Sequence, residues 1–319
     1  MSTPPQAPLR LGVVGVGHLG RHHARILAAL AGVQLVGVAD LMVDRAQAAV
    51  AGTTAEATAD HRALLGRVDA VVIAVPTVDH LAVVRPFLER GVAVLVEKPM
   101  AATVAEASEM LDLANRSGAV LAVGHTERFN PAIAAALPSL SAPRFIEVHR
   151  LSGFPERSLD IDVIFDVMIH DLDIVLAVDR TEVVGVEAVG VPVLTPKIDI
   201  CNARLKFASG CVANITASRI SRDKVRKVRF IQPDMYVSVD YAAQEIETWR
   251  LRRRPGERPA IEGGPVEVAR EEPLKRELED FVEAVRTGRA PGVSGQDGLR
   301  ALTLATRVAE AVEASTWPT

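Results

Sequence analysis

Cysteine is nearly missing: Cys201 and Cys211 are the only two in 319 residues. A disulfide framework is excluded, and without an export signal both thiols are expected to be reduced and merely packed, as in a cytoplasmic protein. An excess of charge of one sign is also lacking. With 36 basic and 40 acidic residues the net charge is −4, so bulk electrostatics predict no nucleic-acid partner and no membrane-surface partner. Aromatic residues make up only 4%. The basic stretch from Arg250 to Arg258 therefore lacks the interleaved aromatics that nucleic-acid recognition would need, and reads as a solvated hairpin tip. No long hydrophobic run exists either. The longest uncharged apolar run, from Ile26 to Ala39, is 14 residues interrupted by Gly32, too short to span a bilayer. The opening MSTPPQAPLR has no apolar signal core and reads as a disordered lead. No repeat and no low-complexity segment is found.

What is present is length and apolar content, 319 residues at 49% hydrophobic, enough for two domains with sizeable cores. From Arg10 strand-like and helix-like patterns alternate. Leu11 to Val16 is an apolar strand that runs into Gly15, Gly17 and Gly20, spaced GxGxxG, and then into a helical pattern. The three glycines suit a tight turn, close backbone approach to a pyrophosphate and close helix–strand packing, with the helix N-terminus aimed at the phosphates. A second strand, Val33 to Ala39, ends in Asp40, 20 residues beyond Gly20. A carboxylate there can accept the adenosine ribose hydroxyls and would repel a 2′-phosphate. Neither Leu41 nor Met42 supplies a compensating cation, so NAD is expected over NADP. Further strands at Ala70–Val75, Val92–Val96 and Val120–Val123 alternate with helices, as in a parallel sheet covered on both faces. Ligands in such sheets sit beyond the carboxyl ends of the strands, which is where Asp40, Pro76-Thr77, Lys98 and His125 fall. His18, Leu19, His80, Glu97 and Arg128 join these as candidate cofactor contacts.

After about residue 130 the pattern changes to a helix over 160–178 and a series of alternating strands between 183 and 251, followed by amphipathic helices at 273–287 and 296–314. The expected fold class is α/β. A Rossmann doubly wound parallel sheet (1–128) precedes an α+β domain with a large, mostly antiparallel open sheet (129–319), and the last helices pack back on the body. On the helix, Asp162, Asp166, His170 and Asp173 share one face. An acid one turn from a histidine can orient the imidazole as a proton acceptor. The same stripe fits equally well an aspartate-rich helix start with a histidine at its wet edge, and no metal is expected from it.

The combination GVGHLG, the EKP of Glu97-Lys98-Pro99 and DxxxH on a helix of a following α+β domain resembles the glucose–fructose oxidoreductase and inositol dehydrogenase (Gfo/Idh/MocA) family of sugar dehydrogenases, over essentially the whole chain. VPTVDH (75–80), EKPM (97–100) and ERFNP (127–131) follow in the family's order. The resemblance implies NAD as cofactor and catalytic roles for Lys98, Asp166 and His170, with the lysine and the imidazole brought from separate domains to one substrate oxygen. It also implies a homodimer or homotetramer built on the open sheet. The phrases GHTERFNPA, FDVMIHDLDIVLAVD and TASRISRDKVRKVRF are similar to members that oxidise a UDP-linked amino sugar at C3 and feed an aminotransferase. A diphosphate wants fixed cations, which singles out Arg157 and Arg219, with Lys224 behind them; Asn130 is a further candidate substrate contact. A free polyol such as inositol, a UDP-sugar uronate, and a non-catalytic regulator of the same fold are the alternative readings. The usual glycine-rich segment before the catalytic helix is replaced here by SLDID at 158–162.

Overall fold

The apolar run Leu9–Val14 forms β1, and the alternation that follows gives α1 (Gly20–Ala29), β2 (Val33–Ala39), α2 (Val43–Val50), β3 (Glu56–Thr58), β4 (Ala70–Ile73), α3 (His80–Leu88), β5 (Ala93–Glu97), α4 (Val104–Ser117) and β6 (Leu121–Gly124). The computed structural model describes residues 7–154 and 160–315. The six strands are all parallel in the order β3-β2-β1-β4-β5-β6. The chain thus starts at the middle of the sheet, builds one side, returns and builds the other. Every residue of β4 and β5 is buried, which is why Ala70–Ile73 and Ala93–Val96 are continuous apolar runs rather than alternating ones. α4 is delimited by local chemistry. Thr103 and Glu106 form a capping box at its start, and Gly118 closes it with φ +71°, a left-handed conformation that costs glycine little. The three-residue β3 has no apolar pattern to announce it and pairs only with the edge of β2.

The second part of the chain holds α5 (Pro131–Ala136), β7 (Phe145–Leu151), α6 (Ile169–Val178), β8 (Val183–Val191), β9 (Ile200–Phe207), β10 (Val212–Ser218), β11 (Val225–Gln232), β12 (Met235–Asp240), β13 (Glu245–Arg252), β14 (Ala260–Val266), α7 (Pro273–Thr287) and α8 (Gly295–Ala314). The eight strands form one sheet, β14-β13-β12-β11-β7-β10-β9-β8, in which only β7 and β10 pair in parallel. β9 shows why one face is wet. Cys201, Ala203, Leu205 and Phe207 point into the core while Asn202, Arg204 and Lys206 point out. Leu172, Ile174 and Val175 of α6, Ala132 and Ile133 of α5, and Ala301, Leu304 and Val308 of α8 cover the dry face. The chain divides into two compact units, Met1–His125 with Leu274–Leu299, and Thr126–Pro273 with Arg300–Thr319. α7 belongs to the first, where Leu278, Phe281 and Val282 join Leu11, Val13 and Leu27 in one core. Both cysteines are free and buried; burial, with a nearby aspartate, pushes the Cys201 thiol up to about 12 and that of Cys211 to about 11.

One local expectation is corrected, and one strand lies beyond those expected. The helix expected over 160–178 begins only at Ile164, and its first turn, Ile164–Met168, is a π-helix that passes into α6. Asp162 stays outside because it is a tie: its Oδ1 accepts the Ile198 N–H at 2.8 Å, and its carbonyl accepts the N–H groups of Phe165 and Asp166. β14, in turn, has no apolar alternation. It is an almost wholly exposed edge strand carrying Gly263, Gly264 and Pro265, held through its backbone to β13, and an edge is where a proline is tolerated. The Arg250–Arg258 basic stretch runs from the end of β13 into the turn before β14 and is exposed except at Leu251. Residues 1–6 of the proline-containing lead lie outside the described residues.

Candidate active site

The glycine turn after β1 has the shape of a phosphate cradle. Gly15 has φ +82°, and a Cβ on it would sit 2.6 Å from the Ala74 carbonyl oxygen. A Cβ on Gly20 would sit 1.8 Å from the Gly15 oxygen, whereas one on Gly17 would meet nothing within 4 Å. Gly15 and Gly20 thus let α1 press against its own strand, and Gly17 keeps open space over a bare backbone. His18 and Leu19 are exposed on the same turn. Asp40 closes the site from the end of β2. Its Oδ2 accepts the Val16 N–H and its Oδ1 the Met42 N–H, both at 2.8 Å. Each oxygen keeps a further lone pair for a ribose hydroxyl. Leu41 and Met42, 93% and 56% exposed, bring no cation beside it. These residues fit NAD, and its phosphates would lie on the turn and the α1 N-terminus.

Two predictions arise here. Gly20→Ala is expected to force strand and helix apart, costing roughly 1–3 kcal/mol as an overpacked contact does, read as a lower unfolding temperature together with weaker NAD binding. Asp40→Ser is expected to weaken NAD and narrow its margin over NADP. Dissociation constants for the two cofactors measured side by side check this, and an unchanged ratio would show that the carboxylate does not read the ribose.

At the other strand ends the structure redistributes roles. Pro76 is exposed and Thr77 half-buried at the head of a short 3₁₀ turn after β4, open for cofactor contact. His80 is corrected from a cofactor ligand to an internal tie. It is fully buried, with Nδ1 3.1 and 3.2 Å from the carbonyls of Pro99 and Met100 and Nε2 3.0 Å from that of Val75. Burial lowers its pKa, opposed by those carbonyls. Glu97 is likewise inward: its Oε1 lies 2.8 Å from His23 Nε2, and its Oε2 accepts the Lys98 N–H at 3.2 Å. Burial raises its pKa, but His23 and Lys98 more than reverse this and hold the carboxyl below its usual range. Lys98 follows, half-buried, with a cis peptide bond to Pro99.

In the second unit, Asp166 lies in the π turn and His170 is the second residue of α6, both half-buried. The two ends of their stripe are structural. Asp162 is the tie described above, and Asp173, 1% exposed, receives Nε and Nη2 of Arg128 at 2.9 and 2.6 Å. That bidentate pair corrects Arg128 from cofactor contact to anchor of α6. Asn130 is corrected too: its Oδ1 caps α5 at Ala132 N–H and its Nδ2 donates to the Tyr241 carbonyl, at 3.1 and 3.0 Å. Arg219 is the largest change. It is 1% exposed, and its fork donates to Asp199 Oδ1, the Ile161 carbonyl and Thr195 Oγ1 at 2.8, 2.7 and 3.0 Å. A guanidinium so enclosed fastens the segment leading to the π turn rather than gripping a substrate diphosphate. Arg157 lies outside the described residues. Arg222, Lys224 and Arg226 are exposed, and Arg229 pairs with Glu147 at 2.6 Å.

Three buried pairs escaped the sequence reading: His23–Glu97, Asp199–Arg219, and Arg150–Asp171, the last with contacts of 2.7 and 2.9 Å and Tyr241 under the guanidinium at 4.9 Å. A signal existed for Arg150, which continues the inward register of Ile146 and Val148 along β7. Among the described residues no group of three His, Cys, Asp or Glu is placed to hold a metal ion, and no helix is long and apolar enough to cross a membrane.

A doubly wound sheet with an open glycine cradle and an acid at the end of its second strand defines an NAD-binding oxidoreductase domain. The chain belongs to the Gfo/Idh/MocA oxidoreductase family with an NAD-binding Rossmann fold, whose model matches residues 9–125. It is 41% identical over 310 residues, 96% of this chain and 98% of the other, to UDP-N-acetylglucosamine 3-dehydrogenase of Acidithiobacillus ferrooxidans. A solved structure of that enzyme superposes with a TM-score of 0.90, covering 97% of this chain and 99% of that one at 40% identity. The inositol 2-dehydrogenase of Rhizobium meliloti is more distant, 27% identical over 322 residues, 93% of this chain and 94% of the other.

Proposed function

We propose that this protein oxidises the C3 hydroxyl of UDP-N-acetylglucosamine to a ketone with NAD. The observation that carries the reading is the 41% identity, over nearly the full length of both chains, to an enzyme of that name. Lys98, Asp166 and His170 supply the acid–base groups the reaction needs. His170 accepts the hydroxyl proton, and Asp166, one turn earlier, favours the imidazole that carries it. Lys98 donates a hydrogen bond to the substrate oxygen and stabilises the alkoxide charge that develops there. NAD, when bound, supplies the acceptor for the hydrogen on the carbon, while the protein supplies position and electrostatics. With Arg219 enclosed, exposed Arg222 and Lys224 are the candidate partners of the diphosphate.

The setting proposed is the cytoplasm, with the chain as a homodimer or homotetramer. The unstable ketone would be consumed by a sugar aminotransferase on the way to a 2,3-diamino sugar of the lipid A type. The test is to incubate purified protein with NAD and a panel of UDP-N-acetylglucosamine, its uronate and free polyols, following reduced cofactor, with an aminotransferase added to draw the ketone forward. Preferential turnover of UDP-N-acetylglucosamine is expected. Preference for inositol or for the uronate would reassign the substrate, and no turnover of any member would favour a binding protein of the same fold.

A further inference from the structure

His23 stands on the first turn of α1, the helix that begins at the phosphate cradle, yet it is fully buried. Its Nε2 lies 2.8 Å from Glu97 Oε1, while its Nδ1 is buried with no hydrogen-bond partner. An ionised carboxylate only accepts hydrogen bonds, so the proton sits on Nε2, which donates its N–H to Glu97 and leaves Nδ1 a lone pair. The other oxygen of Glu97 accepts the backbone N–H of Lys98. Room for this carboxylate is made by Gly124 at the end of β6, where a Cβ would sit 2.9 Å from Glu97 Oε2. On the far side of Lys98, His80 holds the carbonyls of Pro99 and Met100.

We propose that His23 and Glu97 are a positioning pair that sets Lys98 from the helix that cradles the cofactor phosphates. A buried hydrogen bond from a neutral imidazole to a carboxylate is a modest source of stability, since the carboxylate gives up water to make it. What it supplies is a fixed direction. The carboxylate is held at one end by α1 and at the other takes the Lys98 amide, so the lysine's backbone is registered against the phosphate turn. The proposal rests on the catalytic role given to Lys98 above.

The test uses the full NAD-loaded chain with two readouts. In His23→Leu, amide hydrogen exchange at Lys98 is expected to speed up by roughly tenfold or more as Glu97 loses its anchor. The kcat for UDP-N-acetylglucosamine should fall by about 10²-fold, the usual consequence of an ångström of misplacement, with NAD affinity retained. His23→Gln, which offers an N–H at similar reach, should restore both. In a Lys98→Met background His23→Leu should cost nothing further. Unchanged Lys98 exchange, or an equal kcat loss with and without the lysine, would overturn the proposal. Should His23→Leu fail to fold, Glu97→Gln is read in the same cycle with the same outcomes. If the wild-type protein turns over no nucleotide sugar, the proposed function fails, while the exchange measurement still decides whether the pair holds Lys98.

Discussion

Exchange of His170 for alanine, or of Lys98 for methionine, is expected to leave NAD binding intact and to lower sugar oxidation by about 10²- to 10⁴-fold, the range for loss of a positioned acid–base group. Neither side chain belongs to the glycine cradle or to the Asp40 end of β2, so cofactor affinity, measured by fluorescence titration, is the internal control. The two losses differ in kind. In the proposed mechanism, loss of the imidazole would leave the hydroxyl proton without its acceptor, whereas loss of the ammonium would take a donor from the developing negative charge. Steady-state kinetics at saturating NAD separates kcat from KM, and the loss is expected in kcat. Full activity in either variant would remove that residue from the mechanism.

The largest loss of stability is expected from Asp199→Asn. Asp199 is fully buried; its Oδ2 accepts the N–H groups of Val193, Leu194 and Thr195 at 2.9, 2.6 and 2.8 Å, and its Oδ1 accepts Arg219 Nε and Thr195 Oγ1 at 2.8 and 2.9 Å. The amide variant removes the negative charge that faces buried Arg219 and turns an NH2 donor toward donors, costing about 3–5 kcal/mol. Urea denaturation measures it, and adding Arg219→Met should recover part of the loss. The acid response follows from the same contacts. Burial raises the Asp199 pKa, but the backbone donors and Arg219 overcome it and hold the carboxyl well below the usual carboxylate range. The stability it contributes is therefore fully present above the unfolded-state value of about 3.9 and is lost as pH falls through that value toward the folded one. The wild-type protein should lose stability over that interval more steeply than Asp199→Asn.

The nucleotide-binding half was legible because its signals are steric and short-range. Gly15, Gly17 and Gly20 and the valine runs of β4 and β5 report backbone conformation and two-sided burial directly. The second sheet was legible wherever polar and apolar residues alternate, as along β9, and illegible at β14, where Ala-Ile-Glu-Gly-Gly-Pro-Val offers no alternation and the strand is held by backbone pairing and by Glu262 against Arg252. Polar side chains were read worst. Arg128, Asn130 and His80 sit close in sequence to strand ends, which suggested ligand contact, and Arg219 was singled out as a fixed cation for a diphosphate. A long polar side chain can turn either way, and its direction depends on partners 19 to 111 positions off, such as Pro99 for His80 and Tyr241 for Asn130. The Asp162 to Asp173 stripe failed at its first end because its periodicity assumed an α-helix where a π turn stands, and at its last because Asp173, inside α6, is taken up by Arg128.

Asp40 has a second role in the glycine turn, with a practical consequence. Because its two oxygens stitch Val16 in the glycine turn to Met42 at the head of the next connection, the group that would discriminate between the two nicotinamide coenzymes is also a rivet of the cradle. Re-engineering this enzyme toward NADP by replacing that one acid would loosen the loop that must grip the pyrophosphate. A successful redesign has to install, along with the new cation, a substitute acceptor for the Val16 amide.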